Sequence, residues 1–238
     1  CGGCCAEQAW SQQPVGTGSR RIRLTWLSHH TAPMPVRERV AFRLDDYAVT
    51  LRQLVIPGEV DEGVLLSTCN RSELVEVIRP GSPSLGAPGF HRLLHARAGE
   101  PVDTYLYSYH GWAAVRHLFR VAASLDSIVV GEAQILGQVH EAWEAAVKAG
   151  TTGPVLDRLF NRARHTAKRV RTETGIGESH VSVASVAVEL ATKIFTSLKG
   201  REALLVGAGD TARITLEHMR NAGIGRVWVA NRNEERAR

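Results

Sequence analysis

The stretch "STCNRSE", residues 67–73, places a cysteine directly behind the apolar run "GVLLST" and follows it with Asn70, Arg71 and Glu73. Cys69 is the one cysteine in the body of the chain, since Cys1, Cys4 and Cys5 crowd the opening "CGGCC". A thiol attacks as its thiolate, and a free cysteine with a pKa of about 8.5 is mostly protonated at neutral pH. A nearby cation and the unused backbone N–H groups of a strand-to-turn junction both favour the charged form. Arg71 and the turn itself are therefore expected to stabilise the thiolate and a developing oxyanion. A lone cysteine is otherwise commonly core filling, but the polar, charged "NRSE" that follows is unlike a core lining.

A second constellation lies near the end of the chain. Gly207, Ala208, Gly209, Asp210, Thr211 and Ala212 spell G-x-G-x-x-A directly after "ALLV" and at the start of a helical pattern. The glycines allow a tight turn and close backbone approach, and the helix N-terminus can receive a pyrophosphate. The next strand, "RVWVANR", ends in Asn231 and Arg232 where an NAD site would carry Asp or Glu. An arginine there suits a 2′-phosphate, so NADPH is the expected cofactor. A nucleophilic thiol in a chain with a nicotinamide-type fold suggests chemistry at the acyl level, a thioester followed by hydride transfer.

Two helical patterns complete the candidates. Ser127, Gly131, Gln134 and Gln138 recur at helical spacing within a helix expected over about 128–149, among apolar neighbours. Amides in such a wall need partners, which either a bound polar ligand or a neighbouring loop can supply. In the helix expected over about 154–173, Arg158, Arg162, His165 and Arg169 share one face, and Arg164, Lys168 and Arg171 an adjoining one. Leu156, Phe160, Ala163, Ala167 and Val170 form the apolar stripe opposite. Such a face suits either solvent or a phosphate backbone.

The elements that must position these groups read in order. "RIRLTWLS" from residue 21 is a strand, 35–55 one or two helical segments, "GVLLST" and "ELVEVIR" strands, "GFHRLLHA" a short helix and "DTYLYSY" a strand. That β-α-β-β-α-β order predicts a ferredoxin-like unit with helices on one face of an antiparallel sheet. Residues 80–89, "PGSPSLGAPG", read as a loop within it. A helical subdomain follows, its first helix over about 110–124, then a linker at "ETGIGESH". The remaining β-α-β signal predicts a Rossmann-type unit that the chain does not complete. The expected division is a disordered tail over 1–20, a catalytic domain over 21–176 and a truncated cofactor domain over 177–238.

The chain has 238 residues, 44% of them hydrophobic and 22% charged, which suits a soluble globular protein with a sizeable core. A net charge of +5 permits a polyanionic partner without requiring one. No run is long and apolar enough for a membrane span, and no signal-peptide pattern opens the chain. "CGGCC" lacks a second ligand pair, so no metal is expected. Residue 1 is not Met, so the chain reads as a fragment or processed form.

Together "STCNRSE", "HLFRVAASLDSIVVGEAQILGQV" (117–139), "KRVRTETGIG" (168–177) and "VGAGDTA…VANRNEERA" (206–237) resemble the glutamyl-tRNA reductases, and "HHTAPMPVRERVAF" fits the same family. The resemblance runs from about residue 22 to the end. It implies NADPH-dependent reduction of glutamyl-tRNA(Glu) to glutamate-1-semialdehyde, the first step of five-carbon tetrapyrrole, and hence 5-aminolevulinate and porphyrin, biosynthesis. It further implies that Cys69 is the nucleophile and His117 the histidine important for activity. Substrate recognition falls on Thr68, Asn70, Arg71, Ser127, Glu132, Gln134 and Gln138, with Arg71 expected to hold the α-carboxylate. Homodimerisation, a glutamate-1-semialdehyde aminomutase partner and a cytoplasmic setting, or alternatively the plastid stroma, are carried by the same resemblance. Ser72 and Ala133 stand where many members have Thr and Pro; neither removes a group the mechanism needs. Two other readings compete, a non-catalytic tRNA-binding fragment and another NADP-dependent dehydrogenase of the shikimate type.

Overall fold

The computed structural model describes residues 21–79, 81–82, 88–177 and 183–236; the expected tail over 1–20 and parts of the expected loop and linker lie outside them. The chain forms two compact units. Val129–Glu132 and the residues from Gly175 onward make one unit, and the rest of the chain up to Thr174 makes the other.

In the first unit, β1 (Arg21–Ser28), β2 (Val60–Ser67), β3 (Arg71–Ile78) and β4 (Tyr107–His110) make a sheet in the order β2-β3-β1-β4. All three pairings are antiparallel. Helices α1 (Met34–Val40) and α2 (Tyr47–Leu54) join β1 to β2, and α3 (Pro88–Ala98) joins β3 to β4. This is the expected β-α-β-β-α-β order.

The helices of that arrangement share the expected single face, where α3 packs on α1 and α2, and the helical subdomain that follows covers the other. Ser72 Oγ donates to the Val40 carbonyl at the end of α1, while its neighbours Arg71 and Glu73 point to the opposite face, where His117 lies. His117 belongs to α4 (Trp112–Ala122), so this unit covers both faces of its sheet. Consequently all eight residues of β3 are buried, including two carboxylates and an arginine that alternation alone would assign to solvent.

The outer edge of β2 is closed by α5 (Gln134–Ala149), which ends at Gly150 in the left-handed conformation, φ 72°. Beyond that cap, Gly63 N–H donates to the Thr151 carbonyl and Thr151 Oγ donates to the Gly63 carbonyl. Helix α5 packs on β2, so it runs back along the strand and its first turn lies toward the Ser67 end. Helix α6 (Pro154–Glu173) begins with Pro at its first turn, and the buried Glu62 of β2 caps it by accepting the N–H groups of Val155 and Leu156. Trp143 Nε1 donates to Asp157 Oδ1 at 2.8 Å, pairing α5 and α6 as a helical hairpin.

The helix expected over about 128–149 starts later, at Gln134. Ser124 has φ 60° and Gly131 φ 89°, left-handed values that a continuing helix cannot hold. Ser127, Gly131, Gln134 and Gln138 therefore do not form one helical stripe; only the two glutamines share a helix.

In the second unit, α7 (Val183–Phe195) is followed by β5 (Glu202–Val206), α8 (Asp210–Asn221) and β6 (Arg226–Ala230). The two strands are parallel, with Leu204 opposite Trp228, as a β-α-β unit requires. No helix among the described residues is long and apolar enough to cross a membrane.

Candidate active site

Cys69 is exposed at the tip of the β2–β3 hairpin, and its thiol is free. Serines and a tyrosine hold the base of the turn. Tyr47 Oη donates to the Ser67 carbonyl and accepts the Ser67 N–H, and Ser67 Oγ lies 3.0 Å from Ser72 Oγ. Burial pushes the Tyr47 phenol up to about 12, so it stays neutral in this role. Within the turn, Thr68 N–H donates to the Arg71 carbonyl and Asn70 N–H to Thr68 Oγ1. The Cys69 N–H has no hydrogen-bond partner among the described residues.

The cation that grips this turn is Arg37, at the end of α1. Its guanidinium donates to the Cys69 carbonyl at 3.1 Å and to Asn70 Oδ1 at 2.7 Å. His29 N–H donates to the Asn70 carbonyl at 2.9 Å, so the loop after β1 is tied to the turn from the other side.

Beneath the turn runs a chain of buried charge. Arg71 NH1 donates to Glu73 Oε1 at 2.7 Å, with side chains 2% and 0% exposed. Arg71 NH2 donates to both the carbonyl and Oδ1 of Asp126. His117 Nε2 lies 3.0 Å from the same Glu73 Oε1, and its ring stacks on Trp26 at 5.0 Å between centroids. Register explains the meeting, because Trp26 sits opposite Glu73 and Ser28 opposite Arg71 on one sheet face. Asp126 is in turn approached by His30 Nε2 at 3.7 Å and Arg120 NH2 at 3.9 Å.

The electrostatics follow from this packing. Burial alone would raise the Glu73 carboxyl, but the adjacent His117 and Arg71 and their hydrogen bonds bring it down to about 2. Burial opposes the Arg71 cation, yet Glu73 and Asp126 outweigh it and hold Arg71 above its usual value. His29 is lowered to about 4, mainly by burial, with repulsion from His30 and Arg71 adding to it and Asp126 opposing.

The structure thus brings Thr68, Cys69, Asn70 and Arg71 together on the hairpin and links them through Glu73 to His117. Ser127, next to Asp126, accepts from Ser124 Oγ at 3.2 Å. Gln134 and Gln138 are half-buried in the first turns of α5. Glu132 belongs to the other unit, where burial raises its carboxyl. Arg71 departs from expectation: it is not a lone cation beside the thiol but one already engaged by two carboxylates. Sequence reasoning passed over Glu73 and Asp126 as partners, and Arg37 altogether. The i, i+2 spacing of Arg71 and Glu73 on a strand put both on one face and was the available signal. Nothing local marks Arg37, which is brought in by the fold from 32 positions away.

The second unit holds the glycine turn. Gly207 has φ 103°, a conformation suited to glycine, and its N–H donates to the Ala230 carbonyl. Gly209 precedes α8 with no side-chain cap, so the first N–H groups of that helix are left to a ligand or solvent. A Cβ at either glycine would meet nothing within 4 Å, which leaves open the space that a pyrophosphate approach needs. Ala208, Asp210, Thr211 and Ala212 continue the turn into the helix. Asn231 Nδ2 donates to the Asn233 carbonyl and shapes the turn after β6, where Arg232 is exposed. These residues fit a dinucleotide.

Comparison with known proteins bears on both units. Residues 26–174 match the family model for the glutamyl-tRNAGlu reductase N-terminal domain, and residues 189–238 match that for shikimate / quinate 5-dehydrogenase. A glutamyl-tRNA reductase of Rubrobacter xylanophilus is 48% identical over 222 residues, covering 91% of this chain and 50% of the relative. One of Geobacter sulfurreducens is 46% identical over 219 residues, with the same coverage. The solved structure of glutamyl-tRNA reductase from Methanopyrus kandleri superposes with a TM-score of 0.59 at 35% identity, covering 91% of this chain and 50% of that one. The chain spans about half the length of the curated relatives it matches.

Proposed function

The chain belongs to the glutamyl-tRNA reductase family, and from that premise we propose that it carries the site where the glutamyl group of glutamyl-tRNA(Glu) passes to Cys69 and is then reduced, with NADPH, to glutamate-1-semialdehyde. The carrying observation is the exposed Cys69 thiol at a hairpin tip whose underside is the buried chain His117–Glu73–Arg71–Asp126.

On this reading the Cys69 thiolate attacks the ester carbonyl carbon of the aminoacyl end. The carbon–sulfur bond forms, the bond to the terminal ribose oxygen breaks, and the released oxygen takes a proton. The unpartnered Cys69 N–H is the donor available to the oxyanion. His117, held by Glu73 and stacked on Trp26, is the group that moves the proton. Thr68 and Asn70 shape the turn around the bound glutamyl group, and Gln134, Gln138 and Ser127 supply further polar contacts. The α-carboxyl carbon is the ester that Cys69 attacks, so the carboxylate left for Arg71 is the γ-carboxylate rather than the expected α-carboxylate. Arg71 holds it by exchanging its Asp126 contact for the ligand, while Glu73 keeps the guanidinium in place.

NADPH, when bound, supplies the hydride that converts the thioester to the aldehyde and restores the thiolate. The residues suited to hold it are the Gly207–Ala212 turn, with Arg232 set for the 2′-phosphate and Asn231 shaping the neighbouring turn. Residues 21–176 are accordingly assigned to acyl transfer and 177–238 to the cofactor. The same reading includes a homodimer, a cytoplasmic setting and transfer of the aldehyde, the precursor of 5-aminolevulinate, to glutamate-1-semialdehyde aminomutase.

The test omits NADPH. The protein is mixed with glutamyl-tRNA(Glu) carrying labelled glutamate, quenched in acid and weighed intact. A glutamyl adduct should form and should vanish in Cys69→Ser; a folded wild-type protein that forms none would overturn the assignment.

A further inference from the structure

We infer that the exposed face of α6 is the surface that grips the phosphate backbone of the tRNA, an assignment that rests on the glutamyl-tRNA reading of Cys69 and extends it to where the nucleic acid lies.

Helix α6 is 20 residues long and buries Leu156, Leu159, Phe160, Ala163 and Ala167 against its own unit. The opposite half of its circumference carries Arg158, Arg162, Arg164, His165, Lys168 and Arg169. What separates this face from an ordinary solvated one is the clustering of unpaired cations. Elsewhere on the surface arginines are engaged, Arg39 by Glu100, Arg79 by Asp61, Arg213 by Glu217 and Arg226 by Glu202, or, like Arg52, Arg92 and Arg116, lack a carboxylate partner among the described residues but lie on three separate helices. On α6, Arg169 is engaged by Glu173, but Arg158, Arg162, Arg164 and Lys168 have no carboxylate partner among the described residues. The remaining acidic group of the helix, Asp157, faces Trp143 instead. Four uncompensated cations in three helical turns repel one another, and neutralising them is what a polyanion does.

Placement adds a second argument. Glu62 fixes the start of α6 at the far end of β2 from Cys69, and the α5–α6 hairpin turns α6 to run in the direction of β2. At roughly 1.5 Å per residue the helix rises about 30 Å, whereas Glu62 to Cys69 along the strand covers about 23 Å. The basic stripe thus tracks the strand toward the thiol end. It is long enough to meet several successive phosphates of a strand whose terminal ribose must reach Cys69.

The experiment compares wild type with the triple variant Arg158→Gln, Arg162→Gln, Lys168→Gln, whose glutamines keep helix propensity. Circular dichroism and thermal melting verify the fold. Binding of uncharged tRNA(Glu) is followed by fluorescence anisotropy over a range of salt. Affinity should fall at least about tenfold at low salt, and the slope of log K against log salt should become shallower by roughly two to three. A control triple, Arg39→Gln, Arg79→Gln, Arg213→Gln, removes the same charge from paired positions and should leave the slope unchanged. In parallel, acylation of Cys69 is measured with a small glutamyl thioester that carries no RNA, and it should be equal in wild type and both variants. Unchanged tRNA affinity and slope in the first triple, or an equal loss in the control, overturns the α6 assignment. Failure of the small donor to acylate Cys69 in any of the proteins overturns the acyl-transfer reading and leaves the binding result to stand separately.

Discussion

With its side chain wholly shielded from solvent, Glu73 keeps its charge only because Arg71 and His117 both meet its Oε1. Removing it strands a buried guanidinium beside Asp126 alone. Glu73→Ala should therefore lower stability by about 3–5 kcal/mol, read from urea unfolding at neutral pH. The pH dependence has a definite sign. Glu73 titrates at about 2 in the folded protein against an ordinary 4.5, so its contribution is fully present above about 4.5 and is lost as the pH falls toward 2. His29 acts in the same direction over a higher window: its folded value of about 4 against 6.5 means stability declines as pH falls through that interval. Glu76 runs the other way, because burial raises its carboxyl despite the opposing Arg23, so its unfavourable ionised form is relieved in acid. Unfolding midpoints measured from pH 7 down to 2 should show wild type declining across both windows and Glu73→Gln flattened in the lower one.

At the scale of elements, the device that orders the first unit is a carboxylate acting at a distance. Glu62 reaches from β2 to cap α6, a helix whose N-terminus has no cap of its own. Gly153 leaves room for it, since a Cβ there would lie 2.9 Å from the Glu62 carboxylate and would push the capping group aside. Glu62→Ala should cost about 1 kcal/mol through the lost cap, and more if the vacated site stays dry, seen as a lowered Tm. Helix α6 itself was legible in the sequence at both ends, because Pro154 and the glycines after Thr174 punctuate it. The helix expected from residue 128 was not: its apolar composition satisfies a helical period, but the left-handed Gly131 breaks it, and a Cβ there would lie 2.9 Å from the Ile176 carbonyl. A glycine inside a periodic run does not by itself announce which backbone region it occupies.

Considered as a whole, the molecule has two units of separate construction, a sheet with a charged seam and a β-α-β turn, and the proposed function divides its chemistry between them. The two half-reactions should therefore respond to different substitutions. Arg232→Glu should weaken NADPH binding by about tenfold or more relative to NADH, measured by fluorescence titration, while leaving Cys69 acylation unchanged. Cys69→Ser should abolish acylation and leave cofactor affinity unaltered. The net charge of +5 is too small to predict a polyanionic partner from totals, and it is the clustering on α6 that gives it meaning.

The sequence by itself determined the order of elements, the ferredoxin-like and β-α-β units, the exposed cysteine and the glycine turn. Each of these is written in residues close together along the chain: a strand's alternation, a proline at a helix start, glycines between strand and helix. Only the tertiary structure decided that helices cover both faces of the sheet, and with that the burial of Arg71, Glu73 and Glu76. It also decided that Arg37, His117 and Asp126 converge on the hairpin, from positions that no local pattern connects to Cys69. The physical reason is that a buried charge is stable only with its partner in place, and partners are chosen by strand register and helix packing across the fold rather than by spacing along it.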